Sequence, residues 1–259
     1  MKKTSLYSGH RFPAVVISQA VRWYFRFQLS LRDIEELLFE RGVVVSYETI
    51  RRWCDKFGAG FARRAKAVRR KPGSAWYLDE RFVTLRCEPY RLWWAVDEHG
   101  AELDISLQKK RDEAAAARFF RRVLRIFPAP RKIIIDQLHR YIAAKREISE
   151  LASVRHVFVR AAARVNNRAE NSHQPTRERE RRMRGFRDPR HTQHYFLSCF
   201  GPILQHFAPK RHLLRAALHR KQLAARFDAW REFTGVTRNP SPTNLDCRQL
   251  HFHPRWSLS

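Results

Sequence analysis

The chain is poor in the features that mark disulfide-linked, zinc-binding or membrane-spanning proteins. Its four cysteines, at positions 54, 87, 199 and 247, are scattered and form no C-x-x-C pair, which argues against zinc and disulfide scaffolds. No stretch approaches the roughly 18 apolar residues that a spanning helix needs. The apolar residues 12–17 are followed by no small-residue cleavage site. We therefore expect a cytoplasmic protein that is not held in a membrane.

Acidic residues are also few, since 25 Asp and Glu stand against 52 Lys and Arg, for a net charge of +27. Such an excess repels itself unless a polyanion is the usual partner, which indicates nucleic acid first and an anionic membrane surface second. The hydrophobic content of 44% excludes a disordered basic tail. The 259 residues allow one large domain or two to three small ones.

Three of the few carboxylates lie where the sequence pattern is typical of a strand, a strand end and a polar segment. Asp79 lies in an alternating, strand-like run, Asp136 ends the short apolar run 132–136, and Glu170 lies in the polar stretch 165–171. Carboxylates are poor neighbours for a DNA phosphate unless a divalent cation lies between them. Three acids in a cationic chain therefore suggest metal-dependent chemistry on nucleic acid.

The first 60 residues read as helices. Ser30 begins a capping-box-like segment, Gly42 interrupts the pattern, and Ser46 is a plausible N-cap for a further helix. Two short helices with a glycine turn fit a helix-turn-helix, whose second helix would present Arg51 and Arg52 to DNA. An ordinary helical pair fits the pattern equally well, and the net charge favours the DNA-binding interpretation.

The remaining elements predict a mixed α/β domain. After a basic segment at 61–74, the order is three strands, a helix, a strand, a helix, a strand and a helix, as in a ribonuclease-H-like domain. In such a fold the first and fourth strands are neighbours, which would bring Asp79 and Asp136 together, and the helix carrying Glu170 could close the site. Basic helices are expected over residues 190–234, with a loose tail beyond.

The chain resembles a known family in five stretches, namely residues 20–24, 76–80, 90–97, 136–138 and 166–174. In them the chain resembles the DDE-type transposases of bacterial insertion sequences, and in particular the insertion-sequence-six family. The resemblance implies a helix-turn-helix domain at 1–60, a basic linker at 61–74, a ribonuclease-H-like catalytic domain at 75–186, and C-terminal basic helices with a loose tail at 187–259.

The resemblance further implies an activity and its partners. Asp79, Asp136 and Glu170 would be the catalytic and metal-binding triad. Mg²⁺, or Mn²⁺ in its place, would support cleavage and joining of double-stranded DNA at insertion-sequence ends and targets. Two such ions about 3.5–4 Å apart suit in-line displacement at phosphorus. The implied protein is a homo-oligomer on DNA, associated with the bacterial nucleoid.

Basic residues follow Glu170 directly, at positions 177, 179, 181, 182 and 184. A solvated charged helix usually explains such a run, but here we favour contact with DNA phosphates, and assign it to Arg177, Arg181 and Arg184. Arg177 would position DNA by its family resemblance. The alternatives are a non-catalytic helix-turn-helix regulator, an inactive transposase copy, and a nuclease that cuts without joining.

Rival carboxylates are less suited to the site. Glu80 adjoins Asp79, but neighbours on a strand face opposite ways, so only one of the two can point into the site. Asp97 and Asp104 lie near turns, where structural or solvated roles are expected. Glu178 and Glu180 lie within the arginine-rich run and are expected to pair with it.

Overall fold

The computed structural model describes residues 5–69, 71–110, 112–136, 146–159, 167–183, 185–186, 188–209 and 213–236. Three helices come first, namely α1 (Ala14–Arg26), α2 (Leu31–Phe39) and α3 (Tyr47–Ala67). The central elements are β1 (Ala75–Leu85), β2 (Glu88–Asp97), β3 (Glu102–Gln108), α4 (Glu113–Leu124), β4 (Lys132–Asp136), β5 (Arg155–Val159) and α5 (Asn167–Arg182). A π-helical segment (Thr192–Leu197) leads into α6 (Ser198–His206), and α7 (Ala216–Thr234) follows.

The five strands form one sheet in the order β3-β2-β1-β4-β5. The first three strands are an antiparallel meander, whereas β1–β4 and β4–β5 pair in parallel. This order confirms the ribonuclease-H-like fold and the predicted neighbourhood of the first and fourth strands. The helix predicted between the fourth and fifth strands, at residues 137–150, falls mostly outside the described residues.

The sheet has a separate core on each face. Trp76, Leu78 and Ile135 join α4 in one buried cluster, whereas Val83 and Leu92 face the other way. This alternation along β1 follows from the strand period of two. On the second face the sheet packs against a helical layer drawn from both ends of the chain.

That helical layer crosses the predicted boundary at residue 60. Helix α3 continues unbroken to Ala67 because Phe61, Ala62 and Ala65 extend its buried face. Phe61 meets Trp230 of α7 edge-on, with ring centroids 5.4 Å apart. The N-terminal helices therefore share one core with the C-terminal helices. No helix of the described residues is both long and apolar enough to cross a bilayer.

Two glutamines from the C-terminal helices cover the outer edge of β3. The Gln193 side chain accepts a hydrogen bond from the Leu107 amide at 2.6 Å and donates one to the Ile105 carbonyl at 3.1 Å. Gln205 likewise accepts from the Glu102 amide at 2.9 Å and donates to the Gly100 carbonyl at 3.2 Å. Each carboxamide thus satisfies backbone groups that an edge strand would otherwise leave open.

A carboxyl group is buried where β3 meets α6. Glu102 is only 2% exposed, and a Cβ built on Gly201 would lie 2.0 Å from its Oε2 atom, so a larger residue at position 201 would displace this carboxyl group. Burial raises the pKa of Glu102 to about 7, although Lys66 and Arg69 of the helical layer oppose the shift.

This pKa predicts a pH dependence of stability. Because the folded state holds the Glu102 proton more tightly than the unfolded chain, the contribution of Glu102 to stability is greatest below pH 4.5 and falls as the pH rises towards 7. Glu102→Gln keeps the shape without the charge. We expect it to raise the free energy of unfolding at pH 8 by about 1–3 kcal/mol, and far less at pH 5, in urea titrations.

Asp104→Asn is the matched control, because Asp104 is equally buried but bound to Arg122 at 2.6 Å. This change leaves a guanidinium without its partner and should destabilise the protein at both pH values. A Glu102→Gln variant less stable than the parent at pH 8 would contradict the raised pKa.

Candidate functional site

Two of the predicted catalytic acids occupy neighbouring positions in the sheet. In the parallel pairing of β1 and β4, Tyr77 is opposite Ile134 and Leu78 is opposite Ile135. The next residues along the two strands are Asp79 and Asp136. Asp136 is the last residue of β4 and pairs with Val159 on its other side. The backbone register therefore brings these two positions together, as the sequence predicts.

Asp79 and Glu80 lie on opposite faces of β1. Asp79 shares the alternating series of Tyr77 and Val83, which contact the helical layer, whereas Glu80 follows Leu78 on the α4 side. Asp79 is half-buried, and its Oδ1 atom accepts a hydrogen bond from the Glu80 amide at 2.8 Å. This leaves the Asp79 carboxylate on the face that α5 approaches.

Glu170 lies in the first turns of α5, the helix that packs on β1 and β2. Glu180, further along this helix, forms an ion pair of 3.7 Å with Arg81, two residues after Asp79. The side chains of Asp136 and Glu170 lie outside the described part of the structure, so the triad is placed here by backbone position. Arg81, which holds α5 against β1, was not predicted from the sequence.

Two of the predicted phosphate-binding residues lie beside this ion pair. The pKa of Arg81 is lowered, first by burial, and the charges of Arg177 and Arg181 contribute in the same direction. Burial raises the pKa of Glu180, and the same two arginines oppose that shift. Positive charge is therefore concentrated next to the strand that carries Asp79. Arg184 lies outside the described residues.

Arg179 differs from the other arginines in the run, because it is only 3% exposed. Its Nη1 atom donates to the carbonyls of Gln28 and Leu29, the latter at 2.9 Å. It therefore fastens α5 to the N-terminal helices. Because it is buried, Arg179 is not part of the DNA-contacting surface that the sequence predicts for this run.

The predicted DNA-reading helices are well capped. Ser30 and Asp33 form a reciprocal capping box at the start of α2, and the Ser46 side chain accepts from the Thr49 amide at the start of α3. Between them Gly42 has φ +73°, which glycine adopts at low cost. The connection of seven residues, 40–46, is longer than the three or four typical of a helix-turn-helix.

The two arginines predicted to read DNA are exposed on the first turns of α3. Arg51 is bound to Glu48 in the same helix, with Nη2 and Oε2 2.5 Å apart. This pair is solvent-exposed on both sides, so a phosphate or base can compete for Arg51 at little cost.

The donor chemistry at the β1–β4 positions suits a hard cation. Carboxylate oxygens are the ligands that Mg²⁺ prefers, and it keeps several waters, so two or three carboxylates are sufficient. Within the described ranges no three His, Cys, Asp or Glu residues are grouped to hold a metal ion. Those ranges include one side chain of the predicted triad, Asp79, whose half-buried carboxylate fits the role.

Comparison with known proteins agrees with this arrangement. A family model described as a DDE domain matches residues 73–207, just over half of the chain. The transposase for insertion sequence-like element IS431mec of Staphylococcus aureus is 30% identical over 182 residues, which is 70% of this chain and 81% of the relative. The chain belongs to the DDE transposases of the insertion-sequence-six family. The transposase for IS257 in transposon Tn4003, also from Staphylococcus aureus, matches this family member to the same extent.

Solved structures give a weaker likeness. The catalytic core domain of HTLV-2 integrase, in complex with magnesium, is 16% identical to this DDE family member, and the match covers 42% of its chain and 70% of the integrase chain. The TM-score is 0.35. The fold assignment therefore rests on the strand order and not on this likeness.

Proposed function

We propose that this protein is an active DDE transposase that binds the ends of its insertion sequence and catalyses Mg²⁺-dependent strand cleavage and strand transfer. The observation that carries the proposal is the parallel β1–β4 register, which places Asp79 beside Asp136 within the matched DDE domain. The helix bearing Glu170 packs on the same strand. A regulator that only binds DNA requires no such meeting of acids.

Asp79, Asp136 and Glu170 would hold Mg²⁺, and Mn²⁺ would substitute for it. When bound, the metal supplies charge stabilisation for in-line displacement at phosphorus. The protein's own residues position the substrate. Arg177 and Arg181 bind phosphates beside the acids and offset the repulsion between carboxylates and DNA. The β1 backbone holds Asp79 through its hydrogen bond to the Glu80 amide.

The proposed partners follow from charge and family. A net charge of +27 suits the duplex DNA of the element ends and of the target. The transposase acts as a homo-oligomer on this DNA, in the nucleoid of a bacterial cytoplasm. Helices α2 and α3 recognise the ends.

The triad is tested by removing one charge at a time. Asp79→Asn, Asp136→Asn and Glu170→Gln should each abolish nicking of an end-containing duplex in Mg²⁺. DNA binding should stay equal or strengthen, because a carboxamide binds Mg²⁺ poorly and no longer repels phosphate. Glu80→Gln, one residue from Asp79 but on the opposite face, is the matched control and should retain nicking. Full nicking by any triad variant rules that residue out, and nicking without joining by the parent favours a simple nuclease.

End recognition is tested in the full-length chain. Arg51→Ala and Arg52→Ala should each weaken binding to the end sequence by about 1–3 kcal/mol if the arginine reads a base, with a smaller effect on random DNA. Arg63→Ala removes the same charge from an exposed position three turns further along α3 and should spare specificity. Mobility shifts in which the Arg51 and Arg52 variants keep the parent's end preference would contradict the assignment.

The basic run is tested through its salt dependence. Replacing Arg177, Arg181 and Arg184 by Gln should reduce the log–log slope of DNA affinity against salt by about 0.9 for each duplex phosphate that is no longer neutralised. Binding should weaken alike on all sequences, because phosphate contacts carry no base information.

A matched triple variant separates this local effect from net charge. Arg118, Arg121 and Arg125 lie on or beside α4, on the opposite side of the sheet, and their replacement by Gln removes the same charge. An equal change of slope in both triple variants would show that the run after Glu170 is no more than a solvated helix face.

A further inference from the structure

The side chain of Arg179 lies inside the N-terminal helical layer. It is 3% exposed, and its guanidinium carbon lies 4.4 Å from the centre of the Tyr24 ring of α1. Its Nη1 atom donates to the carbonyls of Gln28 and Leu29 in the loop between α1 and α2. One arginine of the catalytic domain thus contacts both a helix and a loop of the predicted DNA-reading part.

The environment of Arg179 is organised around this cation. Two backbone carbonyl dipoles and the face of the Tyr24 ring contact this buried charge. Gln28 has φ +56°, a left-handed conformation that is uncommon outside glycine. The loop therefore adopts a costly backbone geometry at the residue whose carbonyl binds Arg179.

The loop leads directly into α2. Ser30, the residue after Leu29, is the N-cap of α2 and exchanges hydrogen bonds with Asp33, at 2.8 Å and 3.0 Å. Hydrogen bonds from Ser30 lower the pKa of Asp33, and the charge of Arg179 contributes in the same direction. Arg179 is thus close to the cap that begins the predicted helix pair.

The next residue of α5 is fixed on the other side. Glu180 pairs with Arg81 of β1 at 3.7 Å, and Arg81 lies two residues from Asp79. Arg179 and Glu180, which are consecutive in α5, therefore contact the loop between α1 and α2 and strand β1, respectively. A displacement of the loop at 28–29 has to be transmitted to α5 or break the Arg179 contacts.

We propose that Arg179 is a positioning residue, which couples the docking of end DNA on α2 and α3 to the placement of the Glu170-bearing helix beside Asp79. This inference rests on the proposed function. Glu170 precedes Arg179 by nine residues, or about 13 Å of helix. Pro175 lies between them and removes one backbone hydrogen bond, but α5 continues as one helix from Asn167 to Arg182, so Glu170 and Arg179 belong to the same element.

The coupling is measured first without catalysis. In the full-length protein, duplex DNA carrying the element end should slow amide hydrogen exchange in residues 176–183, and random duplex of equal length should do so less. Arg179→Met should bind end DNA within about threefold of the parent yet lose this protection of α5. Arg182→Met, three residues on at an exposed position, should keep the protection.

Cleavage provides the second readout. Arg179→Met should cleave end DNA about 10–100-fold more slowly, because small misplacements of a catalytic group cost this much. The Mg²⁺ concentration for half-maximal cleavage should rise. Arg179→Lys should recover little, since an ammonium cannot both stack on Tyr24 and reach two carbonyls in the guanidinium geometry.

The results separate the two proposals. A parent protein that never cleaves in Mg²⁺ overturns the proposed function, whatever α5 does in hydrogen exchange. A folded Arg179→Met variant with normal α5 protection and normal Mg²⁺ dependence overturns the coupling. If Arg179→Met does not fold, Tyr24→Leu removes both the aromatic ring and the phenol hydroxyl from Arg179 while keeping the guanidinium. It must weaken the same protection, or the coupling fails.

Discussion

The candidate site depends on the parallel pairing of β1 with β4. Leu78 lies opposite Ile135, so that the two acids follow at adjacent positions. A slip of one residue would send one of the two strands' side chains to the wrong face. The register is held because both faces are buried next to it: Trp76 and Ile135 pack against α4, and Ile134 packs with Ala75 on the other side. Hydrophobic packing therefore positions acids that would otherwise repel each other.

The arginines near this strand pairing fall into two groups with different roles. Arg177 and Arg181 are the proposed phosphate-binding residues and act electrostatically on Arg81, whereas Arg179 and Arg81 hold α5 in place. The two roles alternate along one helix because residues two apart point in different directions on a period of 3.6. The same basic segment thus combines the proposed phosphate-binding arginines with one that holds α5 inside the protein.

Much of this arrangement could be predicted from the sequence. The strand order and the adjacency of Asp79 and Asp136 follow from element type and spacing, which are local signals. The structural role of Arg179 could not be predicted, because its partners lie 150 residues away and a charge run usually indicates solvent. The structure shows that Thr176, three residues before Arg179, is also buried, so the two residues share the inward face of α5. The predicted division at residue 60 followed the start of the basic segment 61–74, and the buried face of α3 continues past that point through Phe61 and Ala65.

Helix α3 belongs to two parts of the molecule at once. Its first turns carry Arg51 and Arg52, while Gly58 lies so close to Phe25 and Cys199 that a Cβ there would be 3.1 Å and 3.4 Å from them. N-terminal helices transferred from a relative would therefore have to fit the C-terminal helices at this close contact. If α3 recognises the ends as proposed, recognition changes more readily by substitution at its exposed positions than by exchange of all the N-terminal helices.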